Sequence, residues 1–150
     1  MKRFSFSLQK LLDYKEQLFD VERTVLGDMR AALNQMIEER ERLEQEHIVR
    51  SREFNEKAGR GITALEMERH KNYMLMVDLN IKNKIAQIEL QQQAIDKQMD
   101  KVREAKIEIS TMEKLKQKKL EEYQYIESKA QEQFIEEFVS YTRFATELAG

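Results

Sequence analysis

The chain has 150 residues, of which 36% are charged and 41% are hydrophobic, and it contains neither proline nor cysteine. This is more charge and less apolar mass than an average globular domain has, which argues against a thick, multilayered core. The absence of cysteine excludes disulfides and thiolate metal clusters. Because only four glycines are available to punctuate strands and tight turns, the composition favours long helices.

The formal net charge of -2 and the pI near 5.9 argue against a nucleic-acid partner, since phosphate binding relies on local clusters of Lys and Arg. The amino-terminal residues lack the uninterrupted apolar stretch of a signal peptide, and no segment has the length and hydropathy of a membrane span. We therefore expect a soluble cytoplasmic protein.

The first third of the chain repeats its apolar residues with the period of one helix face. One series, seven residues apart, reads Leu11, Leu18, Val25 and Ala32, and its neighbour reads Leu12, Phe19, Leu26 and Leu33. Consecutive charged residues around position 40 occupy the remaining faces. The pattern predicts an amphipathic helix over about residues 5–57.

Two closely spaced glycines, Gly59 and Gly61, interrupt this pattern. Glycine readily adopts the left-handed conformation that ends a helix, so we expect a turn over about residues 58–62. Thr63 and Glu66 then have the spacing of a capping box, in which side-chain oxygens satisfy the first free amides of a helix. A second helix is predicted over about residues 63–147.

The second helix carries the longest seven-residue repeat of the chain: Met67, Met74, Ile81, Ile88, Ile95, Val102 and Ile109. A sustained period of seven is typical of coiled coils. A short turn makes the two helices antiparallel neighbours, with Val25 opposite Ile95 and Leu11 opposite Ile109. The predicted fold is a single all-α domain, a long antiparallel two-helix coiled-coil hairpin whose second helix extends beyond the first.

This register leaves the end of the second helix, from about residue 117, without a partner inside the chain. The unpaired segment is rich in aromatic and aliphatic residues, among them Tyr123, Phe134, Phe138, Tyr141 and Phe144. An apolar helix face without an internal partner frays, self-associates or docks on another protein. We expect this segment to be a protein-binding surface.

Residues suited to catalysis are few. The two histidines are His47 and His70, and Glu44 and His47 form one Glu-x-x-His spacing of the kind that di-iron carboxylate bundles use on helices. Those bundles need a second such motif, which the sequence lacks. We therefore expect a non-enzymatic protein without a cofactor.

Four segments together resemble the flagellar export protein FliJ family. They are Phe4-Ser5-Phe6-Ser7-Leu8-Gln9-Lys10-Leu11-Leu12, Leu26-Gly27-Asp28-Met29-Arg30, Gly59-Arg60-Gly61-Ile62, and Glu113-Lys114-Leu115-Lys116-Gln117-Lys118-Lys119-Leu120-Glu121-Glu122-Tyr123. Their order and spacing span almost the whole chain. The resemblance implies an antiparallel coiled coil similar to the central stalk of rotary ATPases.

The resemblance also implies a cytoplasmic component of the flagellar type III export apparatus, peripheral to the membrane only through that apparatus. Its partners would be a hexameric export ATPase, the cytoplasmic part of the transmembrane export gate, and export chaperones. The chain termini would enter the ATPase ring, stimulating its assembly and activity, and the tip would face the gate. Residues expected at the ring are Phe4, Phe6, Leu8, Tyr123, Phe134, Phe138 and Tyr141.

For the gate, the family uses an aromatic and an aliphatic residue one turn apart just after the tip, which Tyr73 and Val77 match. Further along, the family has a small residue and a histidine where this chain has Asn80 and Lys84.

Three alternatives stay open at this stage: a free coiled-coil chaperone, the equivalent stalk of an injectisome, and a metal-dependent helical oxidoreductase.

Overall fold

A computed structural model of the chain describes residues 3–149, and within them it contains two α-helices. Helix α1 comprises Gln9–Arg60, 52 residues, and helix α2 comprises Ala64–Ala149, 86 residues. The helices pack against each other, and cross-helix bonds join early residues of α1 to late residues of α2. The predicted all-α hairpin with a longer second helix is therefore confirmed. Helix α2 runs without a break, so it does not fold back on itself.

Residues 61–63 connect the helices. Gly61 has a φ of 102°, in the left-handed region that glycine adopts without strain, and its amide donates to the carbonyl oxygen of Ala58 at 3.3 Å. The Thr63 hydroxyl oxygen accepts from the Glu66 amide at 3.2 Å, which is the threonine half of the predicted capping box. The chain therefore reverses where the sequence predicted it.

The bounds of α1 differ from the predicted 5–57 at both ends. Gly59 stays helical and only Gly61 takes the left-handed conformation, so α1 continues to Arg60. At the other end, the first backbone bond of the α-helical type runs from the Leu12 amide to the Leu8 carbonyl at 2.9 Å. Residues 3–6 have no regular structure.

The described residues form two compact units, and the first to be described comprises residues 20–103. Its core is a single row of seam residues, where "seam" denotes the face along which the helices meet. Leu26, Val77 and Ile95 are the buried apolar members, with Ile95 only 2% exposed. A two-helix layer has no second side to cover it, so burial is confined to this row.

Polar side chains interrupt the seam of this unit and bond across it. Gln98 is buried and donates to the backbone carbonyl and the carboxylate of Glu22. Gln91, one heptad earlier, donates to the backbone carbonyl of Met29 at 3.0 Å. Polar seam residues with satisfied bonds fix the register of a coiled coil, and the buried Gln98 and the half-buried Gln91 share the same alignment of α1 with α2.

The other unit comprises the described residues 3–19 and 104–149. Its core cluster consists of Phe6, Leu12 and Ile109. Lys15 bonds to Glu108 across the helices at 2.8 Å. Here residues that precede α1 take part in the core.

The sequence prediction chose the wrong one of two neighbouring apolar series in α1. Leu11 is 44% exposed, whereas Leu12 is 3% exposed and packs with Ile109. Likewise Val25 is exposed and Leu26 is buried. The apolar stripe of α1 is wider than one partner helix can cover, so its edge series stays in contact with solvent.

The unpaired part of α2 begins later than the predicted residue 117. Half-buried residues recur along α2 at Lys116, Leu120, Tyr123 and Glu127, and every described residue from 128 to 149 is exposed. Residues 3–6 are not helical, and a non-helical chain advances up to about 3.3 Å per residue against about 1.5 Å in a helix. They therefore reach further along α2 than a helix would. We call residues 128–149 the overhang.

Candidate interaction surfaces

Two of the residues predicted at the export gate are engaged inside the hairpin. Val77 is 3% exposed, so its side chain is not accessible to a partner in this conformation. Tyr73 is half-buried, and its hydroxyl donates to the carboxylate of Glu46 on α1. This hydrogen bond, with a smaller effect of burial, raises the pKa of Tyr73. Val77 therefore belongs to the seam in the free protein, and its contact with the gate stays a prediction.

The other two predicted gate residues differ from each other. Asn80 is exposed on α2. Lys84 is half-buried and donates to the Glu39 carboxylate at 2.7 Å, a bond that lowers the pKa of Glu39. Of the four residues, therefore, only Asn80 combines exposure with freedom from the contacts of the seam. Lys84 acts as a cross-helix ion-pair partner in the free protein.

The predicted ring residues near the amino terminus lie in one aromatic cluster. Phe6 is buried at 9% exposure, and the half-buried Phe4 packs its ring against that of Tyr123 with 5.7 Å between centroids. Leu8 is 39% exposed. The structure thus places Phe6 in the core of its unit and leaves Phe4 and Tyr123 half-buried against each other.

The overhang exposes a row of large apolar side chains. Up to Glu127, the half-buried residues of α2 recur at intervals of three and four residues. The same spacing continues into the overhang through Ala130, Phe134, Phe138, Tyr141, Ala145 and Leu148. The four large members of this series are between 62% and 71% exposed. The face that is covered up to Glu127 therefore continues uncovered to the end of α2.

The charges of the overhang lie on its other side. At about 100° per residue, Lys129, Glu132, Glu136, Arg143 and Glu147 fall roughly opposite Phe134 on the helix, and Glu137 flanks the apolar face. An apolar face backed by a charged face suits a helix that is half in solvent and half against a protein surface. Contiguous apolar surface of this kind commonly marks an interaction site.

His47, one of the two residues considered for metal chemistry, lies in an ordinary cross-helix contact. The ring nitrogen Nε2 of His47 lies 2.9 Å from an Asp78 carboxylate oxygen. Among residues 3–149, no group of three or more His, Asp or Glu side chains is arranged to hold a metal ion. Nor is any helix in this range long and apolar enough to cross a membrane.

A second apolar series on α2 was missed by the sequence analysis. Val77 faces the seam, and Leu79, two residues or about 200° further round the helix, faces away from it. The series through Leu79 is Leu65, Asn72, Met76, Leu79, Asn83, Ala86 and Leu90, and all seven residues are exposed. We call these residues the outer stripe. Their steps of seven were present in the sequence, but the two asparagines interrupt the apolar pattern.

The family model described as flagellar FliJ protein matches residues 4–146. No curated protein and no solved structure matches the chain.

Proposed function

Because the chain belongs to the flagellar FliJ family, which has a role in flagellar protein export, we propose that it is a non-enzymatic, stalk-like adaptor of the flagellar type III export apparatus. In this proposal the overhang inserts in the hexameric export ATPase and promotes the assembly and activity of its ring. The hairpin links that ATPase to the cytoplasmic part of the export gate and to export chaperones. The protein works at the base of the export apparatus, on the cytoplasmic side.

The observation that carries the proposal is the uncovered face of the overhang. Phe134, Phe138, Tyr141 and Leu148 expose 62–71% of their surface on one side of a helix that no other part of residues 3–149 covers there. Aromatic side chains bury roughly 150–250 Å² each when they dock, so three of them can supply much of a binding energy. A ring lumen surrounds an inserted helix, which suits an apolar face flanked by charges.

The aromatic cluster of Phe4, Phe6 and Tyr123 has a supporting role in this proposal. Because Phe6 is buried and Phe4 packs on Tyr123, these residues hold the chain start against α2 just before the overhang. We propose that they fix where the overhang begins, while the overhang itself makes the ring contacts. Leu8, at 39% exposure, is the member of this group available to the ring.

We assign the gate contact to α2 just after the tip, with Asn80 as its accessible residue and Tyr73 at its edge. Val77 supports this surface from the seam, and Lys84 holds α1 and α2 together through Glu39.

A truncation tests the ATPase contact. A chain ending at Glu127 keeps the Phe4–Tyr123 packing and removes only the overhang. The expected result is an unchanged far-UV helicity per residue and an unchanged cooperative unfolding transition, with loss of ATPase stimulation and of co-purification with the ATPase. Stimulation equal to that of the full chain would overturn the proposal.

Point variants sharpen this test. Phe138→Asp places a charge on the apolar face, whereas Val139→Asp, at a similarly exposed position of 53% against 62%, places it about 100° further round the helix. Both residues are exposed in the free protein, so neither change should lower its stability. We expect Phe138→Asp to abolish stimulation and Val139→Asp to retain most of it. Equal effects would mean that the overhang acts without a specific face.

A further inference from the structure

The outer stripe has the a and d spacing of a second coiled-coil face, in which Arg69 occupies the one remaining position. Leu65, Asn72, Leu79 and Ala86 follow one another in steps of seven, and Met76, Asn83 and Leu90 form the companion series. Four of its residues, Leu65, Met76, Leu79 and Leu90, are 53–65% exposed, whereas the buried apolar residues of the seam in this unit are at most 6% exposed. Helix α2 therefore presents one coiled-coil face to α1 and a second one to solvent over these residues.

The arrangement of the polar residues in the stripe restricts what can cover it. An apolar helix laid against the stripe would leave the amides of Asn72 and Asn83 facing hydrocarbon, which is unfavourable for groups that lose their water. A partner must therefore offer polar groups at two positions, eleven residues apart, and apolar groups between and beyond them. The stripe itself, read in the opposite direction, has this pattern.

We propose that the outer stripe is the contact surface of an antiparallel homodimer, in which Asn72 of each copy faces Asn83 of the other. In antiparallel coiled coils, a positions pack against d positions of the partner. With the asparagines paired, Met76 lies opposite Leu79 of the second copy, and Leu65 lies opposite Leu90. Every apolar residue of the stripe except Ala86 then meets an apolar residue.

The remaining layer is complementary in charge. Ala86 lies opposite Arg69 of the second copy, and Glu89, one turn further along α2, comes beside that guanidinium. Both Arg69 and Glu89 are exposed in the single chain and can move into this contact. The guanidinium also offsets the approach of Glu68 to Glu89 of the other copy. Shifting the pairing by one heptad would place Asn83 against Leu79, so the asparagines select a single register.

The expected area sets the strength of the contact. About nine side chains per copy take part, which corresponds to on the order of 1,000 Å² in total, the lower end for a specific interface. The dimer should therefore be a reversible one that dissociates on dilution. It uses a stretch of the chain other than the overhang, so it stands or falls independently of the proposed ATPase contact.

Sedimentation of the full chain between low-micromolar and submillimolar concentrations tests the association. We expect a monomer–dimer equilibrium that Leu79→Glu weakens by at least about tenfold, because each dimer would bury two such charges. Ile107→Glu is the matched control: Ile107 is also 58% exposed and lies in the same seven-residue series, but beyond the stripe. A chain that stays monomeric throughout, or equal effects of the two variants, would overturn the proposal.

Disulfide trapping tests the register, and the natural chain has no cysteine to interfere. A mixture of Asn72→Cys protein with Asn83→Cys protein should crosslink under mild oxidation, and neither variant alone should. In the proposed pairing, two copies of residue 72 lie about 16 Å apart along the axis, beyond the reach of a disulfide. Crosslinking of Asn72→Cys protein with itself would show a parallel pair and reject the proposed dimer.

Discussion

The ring of Phe4, five residues before α1 begins, packs against the ring of Tyr123 at 5.7 Å between centroids and an interplanar angle of 52°. Tilted aromatic pairs at this distance are stabilised by the attraction between ring edge and ring face. The contact joins the start of the chain to the last covered part of α2. We propose that this contact helps to fix where the covered surface ends and the overhang begins.

We expect Phe4 and Tyr123 to be energetically coupled. In a double-mutant cycle of Phe4→Ala and Tyr123→Ala, urea unfolding should give a coupling of about 1 kcal/mol. Limited proteolysis of the Phe4→Ala protein should also cleave α2 at positions closer to its amino-terminal end than in the unchanged protein. Tyr125→Ala serves as the control, since Tyr125 is 64% exposed and should show no coupling to Phe4. Equal coupling energies for the two tyrosines would contradict the packing described here.

The substitutions Val77→Ala and Asn80→Ala should differ in their effect on the stability of the protein. Val77→Ala removes two methyl groups from a seam position that is 3% exposed, so we expect it to lower the free energy of unfolding by about 2 kcal/mol. Asn80→Ala changes an exposed residue and should leave thermal unfolding nearly unchanged. Differential scanning calorimetry measures both effects. A stable Val77→Ala protein would show that Val77 is not a seam residue.

The features predicted well from the sequence are those that local chemistry determines. The reversal at Gly61 and the Thr63–Glu66 cap depend on a left-handed glycine and a side-chain oxygen at fixed spacing. The seven-residue repeat of α2 likewise needs only one continuous face, and Ile95 and Ile109 are buried as this requires. These signals lie within a few residues of the features they predict.

The features predicted poorly depend on how much surface one helix can cover. Leu11 and Leu12 are both apolar, and only the fit against α2 decides that Leu12 is the buried one. The length of the covered part of α2 depends on residues 3–6 being non-helical, and Ser5 and Ser7 are both suitable N-cap residues between which the sequence pattern does not decide. Val77 was expected at the gate, and its position in the seam becomes clear only from its burial against α1.

Gly27 and Gly61 should respond oppositely to the same substitution. Gly27 lies inside α1, and a Cβ added there meets nothing within 4 Å, so Gly27→Ala should stabilise the protein by up to about 1 kcal/mol. The expected rise in melting temperature is about 2–4 °C for a chain of this size. Gly61 has a φ of 102°, which strains any residue with a Cβ, so Gly61→Ala should be destabilising by about 1–2 kcal/mol. Similar shifts for both variants would contradict the assigned tip.

The Glu39–Lys84 pair should make stability depend on pH in the acid range. The bond from Lys84 lowers the pKa of Glu39 in the folded protein below its unfolded value of about 4.3. Its contribution is therefore fully present above that value and is lost as the pH falls through the lower folded pKa. Lys84→Met should reduce the urea midpoint near neutral pH, and the difference from the natural chain should shrink progressively below about pH 4.

Lys129→Met is the control, because the Lys129–Glu132 pair at 3.3 Å is more than half exposed and should contribute little at any pH. If the difference caused by Lys84→Met were constant down to acid unfolding, Glu39 would not be the residue whose charge that lysine stabilises.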